Sequence, residues 1–282
     1  MPEWYEIDLS GPLEGLIYEK DGPIATITLN RPERGNSMHV GMFDPIRAIW
    51  EDVRGDQDIR VIIVTGAGSR HFCTGADVGI AAADASVSDN IQLDEVVFWT
   101  ARQNKVWKPV IAAVNGICAG GGLHHVVDAD IVVASENAQF LDTHVNVGMV
   151  GGLENIGLAK RLPLGTALRM SLQGRDFRLS AERAFQLGLV DELVPAGDAL
   201  VAARAIAESV ARNSPQATTL TQQAVWGSME MGLEAALHHA WALIRLHWAH
   251  PDFIEGPRAF VEKRAPEWNP DPDAKIEYTA AG

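Results

Sequence analysis

Three short runs of β-branched and small apolar residues constrain this chain more than any other feature: Val61–Thr65 (VIIVT), Val110–Val114 (VIAAV) and Ile131–Ala134 (IVVA). Each is too short for an ordinary helix and lacks a polar face, so each suits a strand covered on both sides, as in a parallel sheet. Helical patterning stands between them, at about Met38–Arg54 and about Ile91–Val106. Ahead of them, Leu16–Lys20 and Ile24–Asn30 flank the turn Asp21-Gly22-Pro23, and the second of these alternates apolar with small or polar residues like a half-buried strand. Strand–helix–strand repetition implies an α/β layered fold with crossover connections. The second half changes character: Leu168–Leu172, Ala181–Leu187, Ala199–Arg212, Pro215–Met231 and Leu233–Trp248 read as helices. Ser214-Pro215 is a helix start, because serine caps orphan amides and proline is tolerated in the first turn. Ala, Leu and Trp recur at helical spacing through Leu233–Trp248, the mark of a core or interface face. The charged segment Gly256–Arg264 follows, then a Pro/Asp-rich tail from Pro266 that is expected to fray.

Composition removes several function classes. With 282 residues, 23 Lys plus Arg stand against 37 Asp plus Glu, a formal charge of −14. That balance argues against a nucleic-acid or anionic-membrane partner, since phosphate binding needs a basic footprint. Cys73 and Cys118 are too few for a disulfide scaffold and fit a reducing cytoplasm. The N-terminal MPEWYEIDLSGPLEG has neither the basic nor the apolar region of a signal peptide, and no uncharged apolar run reaches about 18 residues. The expectation is a cytoplasmic globular protein without a membrane span.

The chemistry concentrates in Asn115-Gly-Ile-Cys-Ala-Gly-Gly-Gly-Leu-His-His125, directly after the VIAAV strand and before a helical stretch. Three successive glycines are costly inside a helix or strand and belong where backbone approaches something closely. A glycine turn feeding a helix N-terminus presents free N–H groups to an anion, which makes it an oxyanion hole or a tight structural turn. No Gly-Lys-Ser/Thr follows and the G-x-G-x-x-G spacing is absent, so it is neither of the two common nucleotide loops. A second glycine-bearing loop, His71-Phe-Cys-Thr-Gly-Ala-Asp77, follows VIIVT. Two such loops at the ends of neighbouring parallel strands can clamp one oxygen from two sides.

At this point the sequence resembles the crotonase, or enoyl-CoA hydratase/isomerase, superfamily. The resemblance runs from about Gly15 to Trp268 and is carried by Ile27-Thr-Leu-Asn-Arg-Pro32, Phe72-Cys-Thr-Gly-Ala-Asp77, Pro109–Gly116 with Gly120-Gly-Gly122, Ala138-Gln-Phe140, Leu187-Gly-Leu-Val-Asp191 and Phe260-Val-Glu-Lys-Arg264. It implies an α/β fold, a crotonase-like spiral of ββα repeats with a helical C-terminal region. It divides the chain into a core at 1–200, a helical region at 201–265 that covers ligand and oligomerises, and a flexible tail at 266–282. It implies a homotrimer or a dimer of trimers, and an acyl-CoA thioester substrate with no cofactor apart from that CoA. By the same resemblance the N–H groups of Ala76 and Gly121 hold the thioester oxygen of an enolate, and Arg31, Thr74 and Lys263 are candidates to bind CoA.

The departures bear on the reaction. Hydratases of the family carry one glutamate two residues after the triple glycine and another soon after Ala-Gln-Phe; here those places read His124 and His144. Glu154 follows His144 by ten residues, and Asp142 precedes it by two. An imidazole is suited to general base work near neutral pH, and Glu154 or Asp142 can orient His144. His124, in the first turn of a helix, is expected to stay neutral. Family members that hydrolyse C–C bonds of β-diketones resemble this version, with a His and an acidic partner. The expectation is therefore an enzyme adding water to an acyl-CoA, as a hydratase (lyase) or a C–C or thioester hydrolase, with His144, His124 and Glu154 as its catalytic set. A double-bond isomerase and a non-catalytic CoA-binding paralogue are the alternatives. Paired His with nearby carboxylates also suggests a metal, but the spacing follows no standard ligand motif and the resemblance names none, so no metal is expected.

Overall fold

The uninterrupted apolar runs lie in the larger of two sheets in the computed structural model, which describes residues 6–77, 79 and 97–276. That sheet has the order β1 (Leu16–Asp21), β2 (Ile24–Leu29), β3 (Val61–Gly66), β5 (Val110–Val114), β7 (Ile131–Ser135), β10 (Glu192–Val194). β1 and β2 form an antiparallel hairpin, Leu16 opposite Leu29, and every other neighbour pair is parallel. The smaller sheet orders β4 (His71–Cys73), β6 (Ile117–Ala119), β8 (Gln139–Leu141) and β9 (Leu179–Ser180), with β9 antiparallel. β3, β5 and β7 are thus each followed by a short strand in the second sheet, the spiral of ββα turns that the resemblance implies.

Alternation along each strand explains the double-sided burial. Val61 and Ile63 of β3, Ile111 and Ala113 of β5, and Val133 of β7 form one apolar layer with the helix Ala199–Ala211, whereas Ile62, Val64, Ala112, Val114, Val132 and Ala134 point into the layer between the sheets. The helix meets the sheet through Ala199, Ala203, Ala207 and Ala211, one alanine per turn. Small side chains at that spacing let it lie close, and overpacking such a contact typically costs about 1–3 kcal/mol.

Among the described residues the helices are α1 (Phe43–Gly55), α2 (His124–Val127), α3 (Leu153–Arg161), α4 (Leu164–Gln173), α5 (Ala181–Gln186), α6 (Ala199–Ala211), α7 (Pro215–Ser228), α8 (Leu233–His247) and α9 (Asp252–Glu262). Among the described residues, no helix is long and apolar enough to cross a membrane. α1 starts after a 3₁₀ turn at Val40–Met42, later than the helical patterning from Met38 implies. The helix expected at Ile91–Val106 lies partly outside the described residues, and from 97 to 106 it is a chain of turns instead. There the Gln103 side chain accepts from Trp99 N and Thr100 N, while Asn104 donates to Phe98 O and Thr100 O. Such side-chain bonds compete directly with helical ones. α3 and α9 were not expected; Gly152 and Gly157 obscure the first, and α9 accommodates Pro257 in its interior. The tail expected to fray is bonded as far as Ile276: Trp268 Nε1 donates to Arg212 O at 2.7 Å, Asn269 N to Asp252 Oδ1 at 2.8 Å and Ile276 N to Ala249 O at 2.8 Å. Residues 277–282 lie outside the described residues.

Candidate active site

Pairing of Cys73 with Cys118 across β4 and β6 sets Thr74-Gly75-Ala76 beside Ala119-Gly120-Gly121. Both thiols are fully buried, and burial pushes the Cys73 thiol up to about 12, so these cysteines are packing residues. Gly75 has φ +88°, and a Cβ there would stand 2.7 Å from Gly121 N; only glycine lets the two loops come this close. Met38 sits on the outer edge of the first loop, donating to Gly75 O at 2.8 Å and accepting from Asp77 N at 2.7 Å. Alternation in this extended segment then turns the N–H of Ala76 the other way, toward Gly121. A methyl on Gly121 would lie 3.5 Å from Ala76 N. Gly121 is the second residue of a 3₁₀ turn, Gly120–Leu123, where the first N–H groups have no partner within the turn. The two amides expected to work together therefore stand on adjoining loops.

His144 lies beside the second loop: its Cε1 is 3.8 Å from where a Gly120 Cβ would be. Its Nδ1 is 2.6 Å from Asp142 Oδ1, and since a carboxylate only accepts, Nδ1 carries the proton. Asp142 is fully buried and pinned: Oδ1 also accepts from Thr143 N and His144 N, and Oδ2 from Asn155 Nδ2 at 2.8 Å. Between the two candidate orienters, then, Asp142 makes the bond. Glu154, on the first turn of α3 and 3% exposed, has Oε1 3.0 Å from the same Nδ1. The N–H is aimed at Asp142, so this oxygen has no hydrogen-bond donor and acts on His144 as a second negative charge. The bond to Asp142 first, and Glu154 next, push the His144 imidazole up to about 10 against the opposing effect of burial. Burial alone would raise the two carboxyls, but His144 beside both, with Asn155 on Asp142, holds them below the ordinary carboxylate range.

His124, at the start of α2, is 7% exposed. Its Nε2 is 3.3 Å from Glu154 Oε2 and its Nδ1 3.1 Å from Gln103 Nε2, with the Trp99 ring edge-on at 5.8 Å. Burial, the largest influence, lowers its basicity, while Glu154 and Asp128 pull the other way. His124, Glu154, His144 and Asp142 thus stand in one continuous row. Asp142, His144 and Glu154 each bring one donor atom within 4.8 Å of the others, a set able to hold a cation. The 2.6 Å Nδ1–Oδ1 contact is the length of a shared proton, and Asp142 Oδ1 is already filled by main-chain donors, so we read an ion pair. His125, fully buried with its pKa pushed down to about 3 by burial, faces Phe72 edge-on at 6.1 Å and is a core residue.

The CoA-binding candidates are less unified. Arg31 donates to Ser37 O at 2.7 Å and to Asp77 Oδ2 at 3.2 Å, which braces the loop carrying Ala76. Thr74, half-buried, is anchored through its N–H to Gly35 O. Lys263 is exposed, in a left-handed conformation just past α9. Sequence reasoning did not find Gln103, Trp99 or Asn155 as neighbours of the site. Their spacing relative to the histidines follows no period, so no local pattern could have marked them.

The enoyl-CoA hydratase/isomerase family model matches residues 19–271. An (E)-benzylidenesuccinyl-CoA hydratase from Thauera aromatica is 35% identical over 254 residues, covering 88% of this chain and 96% of that protein. A carnitinyl-CoA dehydratase from Salmonella typhi is 32% identical over 268 residues, covering 90% and 98%. Among solved structures, an enoyl-CoA hydratase/isomerase from Mycobacterium paratuberculosis superposes with a TM-score of 0.84 at 39% identity, over 92% of this chain and 100% of that one. The chain belongs to the enoyl-CoA hydratase/isomerase family, the crotonase superfamily, as an acyl-CoA-metabolising enzyme.

Proposed function

We propose that the protein adds water to an acyl-CoA thioester in the cytoplasm, with the amides of Ala76 and Gly121 on the thioester oxygen and His144 Nε2 as the base. The observation that carries this reading is the close approach of the two loops that bear those amides, with the His144 ring beside the second loop. Nε2 takes a proton from water as the water oxygen bonds to the β-carbon. The C=C pair moves toward the carbonyl, forming an enolate whose oxygen the two amides stabilise. The proton on Nε2 then passes to the α-carbon and restores the base. Asp142 fixes the ring through Nδ1–H, and both carboxylates raise its basicity. These steps need only the chain, its CoA ester and one water molecule.

The test is a panel of enoyl-CoA and β-keto-CoA esters, followed through the absorbance of the conjugated thioester, with wild type and His144→Ala. Hydration of an enoyl ester, lost in His144→Ala, supports the reading. Cleavage of a β-keto ester by the same base would make the enzyme a hydrolase, and migration of the double bond an isomerase. Binding without turnover across the panel would make it a CoA-binding paralogue.

The basicity of His144 has a kinetic signature. A base must be unprotonated to act, and this imidazole is protonated below about 10. The value of kcat/KM is therefore expected to rise about tenfold per pH unit up to that limb and to level off above it. A profile already flat from neutral pH, falling only above the limb, would show that the charged imidazole is the acting form.

Assembly into a trimer or a dimer of trimers is part of the same reading. Leu233, Leu237, Trp241, Ile244 and Trp248 form a stripe along α8 and just beyond it, and in the single chain Leu233 is 78% and Leu237 62% exposed. Ile156, Leu164, Leu168 and Leu172 add apolar exposure on α3 and α4. Apolar surface of this extent marks an interface. Light scattering is expected to give three or six times the 30.5 kDa chain mass, and Leu237→Asp to lower it. A wild-type monomer would contradict the assembly.

A further inference from the structure

The side-chain amide of Gln103 stands between the main chain and His124. Its Oε1 accepts from Trp99 N at 2.7 Å and from Thr100 N at 3.2 Å. Main-chain N–H groups only donate, so this end of the amide is the oxygen, an orientation usually left open when nothing but distances constrains it. The other end is therefore an NH2 group, and it lies 3.1 Å from His124 Nδ1. An NH2 group donates, so Nδ1 accepts and the ring proton resides on Nε2. That is the nitrogen 3.3 Å from Glu154 Oε2.

We propose that Gln103 is a positioning residue that locks His124 in the neutral, Nε2-protonated tautomer, making it a fixed N–H beside Glu154 and withdrawing it from acid–base work. The proposal deepens the reading of His144 as the base and rests on it for its functional meaning. A second proton on His124 would have to sit on Nδ1, directly against the Gln103 NH2, so the charged ring meets donor against donor. The charged and titratable groups facing His124 are Glu154 from α3 and Asp128 after α2, which favour the charged ring, and His144 across the site, which disfavours it. His125 next along α2 is itself held neutral by burial. The Trp99 edge adds apolar cover. Gln103 is the neutral donor in this group, and it settles the tautomer. With His124 held neutral, Glu154 keeps its charge for His144 and is not shared with a second cation.

The substitution Gln103→Glu separates this role from a structural one. Glutamate keeps an acceptor for Trp99 N and Thr100 N and replaces only the NH2 group with a second oxygen. A side chain that merely caps the Trp99–Thr100 turn would be replaced silently. The expected result, from ¹⁵N-histidine NMR of the full chain, is a wild-type His124 with protonated Nε2 and bare Nδ1, unchanged between about pH 6 and 9. In Gln103→Glu, Nδ1 gains a proton and the ring titrates about 1–3 units higher. A wild-type His124 protonated on Nδ1, or titrating near the ordinary imidazole value, overturns the proposal, as does an unaltered His124 in Gln103→Glu. Should the variant fail to fold, the wild-type spectrum decides by itself. The tautomer is read without turnover, so an incorrect assignment of the base to His144 would appear separately, as a locked His124 with the wrong pH–rate profile.

Discussion

Replacing Asp142 with asparagine is expected to lower the alkaline plateau of kcat/KM by about 10²–10³-fold and to move its pH limb downward by a unit or more. Both effects come from the bond between Asp142 Oδ1 and His144 Nδ1. The negative partner makes Nε2 a stronger base and selects the tautomer that leaves Nε2 free. An asparagine oxygen still accepts from Thr143 N and His144 N, but its NH2 group meets the Asn155 Nδ2 that now donates to Oδ2. One buried donor is then left unmatched, a cost of about 1–3 kcal/mol that should appear as a lower melting temperature of a folded protein. The direction of the limb distinguishes the explanations. A folding defect alone lowers activity at every pH, whereas loss of the carboxylate lets the imidazole fall from about 10 toward its ordinary value. An unmoved limb would mean that Asp142 does not set the basicity of the acting group.

Gly121→Ala is expected to cost about 10²–10³-fold in kcat, the usual effect of losing one oxyanion donor. The new methyl would stand 3.5 Å from Ala76 N and 2.8 Å from Cζ3 of Trp99, between the first amide and that ring. Gly121 does not occupy the left-handed region, so alanine suits the backbone and the chain should fold. Displacing the Trp99 ring, which also lies edge-on to His124, costs about 1–3 kcal/mol of overpacking. Gly75→Ala provides the contrast: with φ +88° and a Cβ 2.7 Å from Gly121 N, it strains the backbone and pushes the loops apart, so stability and activity should fall together. Measuring kcat beside melting temperature for both variants separates blocked amides from displaced loops. Full activity in Gly121→Ala would place the thioester oxygen elsewhere.

Much of this fold is legible because burial on both faces forces a distinctive composition. Val61, Ile62, Ile63 and Val64 alternate between α6 and the inter-sheet layer, and that requirement shows directly as an unbroken apolar run. The two glycine loops are legible for a similar reason, since backbones that nearly touch exclude side chains at Gly75 and Gly122. The imidazoles at 124 and 144 stand out against the family pattern. What sequence cannot convey is which partners converge on them. Gln103 reaches His124 from a turn whose side-chain bonds replaced the expected helix. Arg31 is drawn onto Asp77, a pairing set by the way the Ala76 loop folds back along Met38. The bonded tail is illegible on the same grounds: its Pro/Asp-rich composition has little local preference, and Arg212, Ala249 and Asp252 hold it from far along the chain.

The most direct measurement is a crystal structure of the wild-type protein with a saturated acyl-CoA ester bound, a ligand that has no double bond to hydrate. The account predicts the thioester oxygen within about 3.1 Å of both Ala76 N and Gly121 N, and His144 Nε2 within about 3.5 Å of the β-carbon's attacking water or of the α-carbon. A thioester oxygen bound away from either amide, or a His144 ring on the far side of the loop from the reacting carbons, would contradict it.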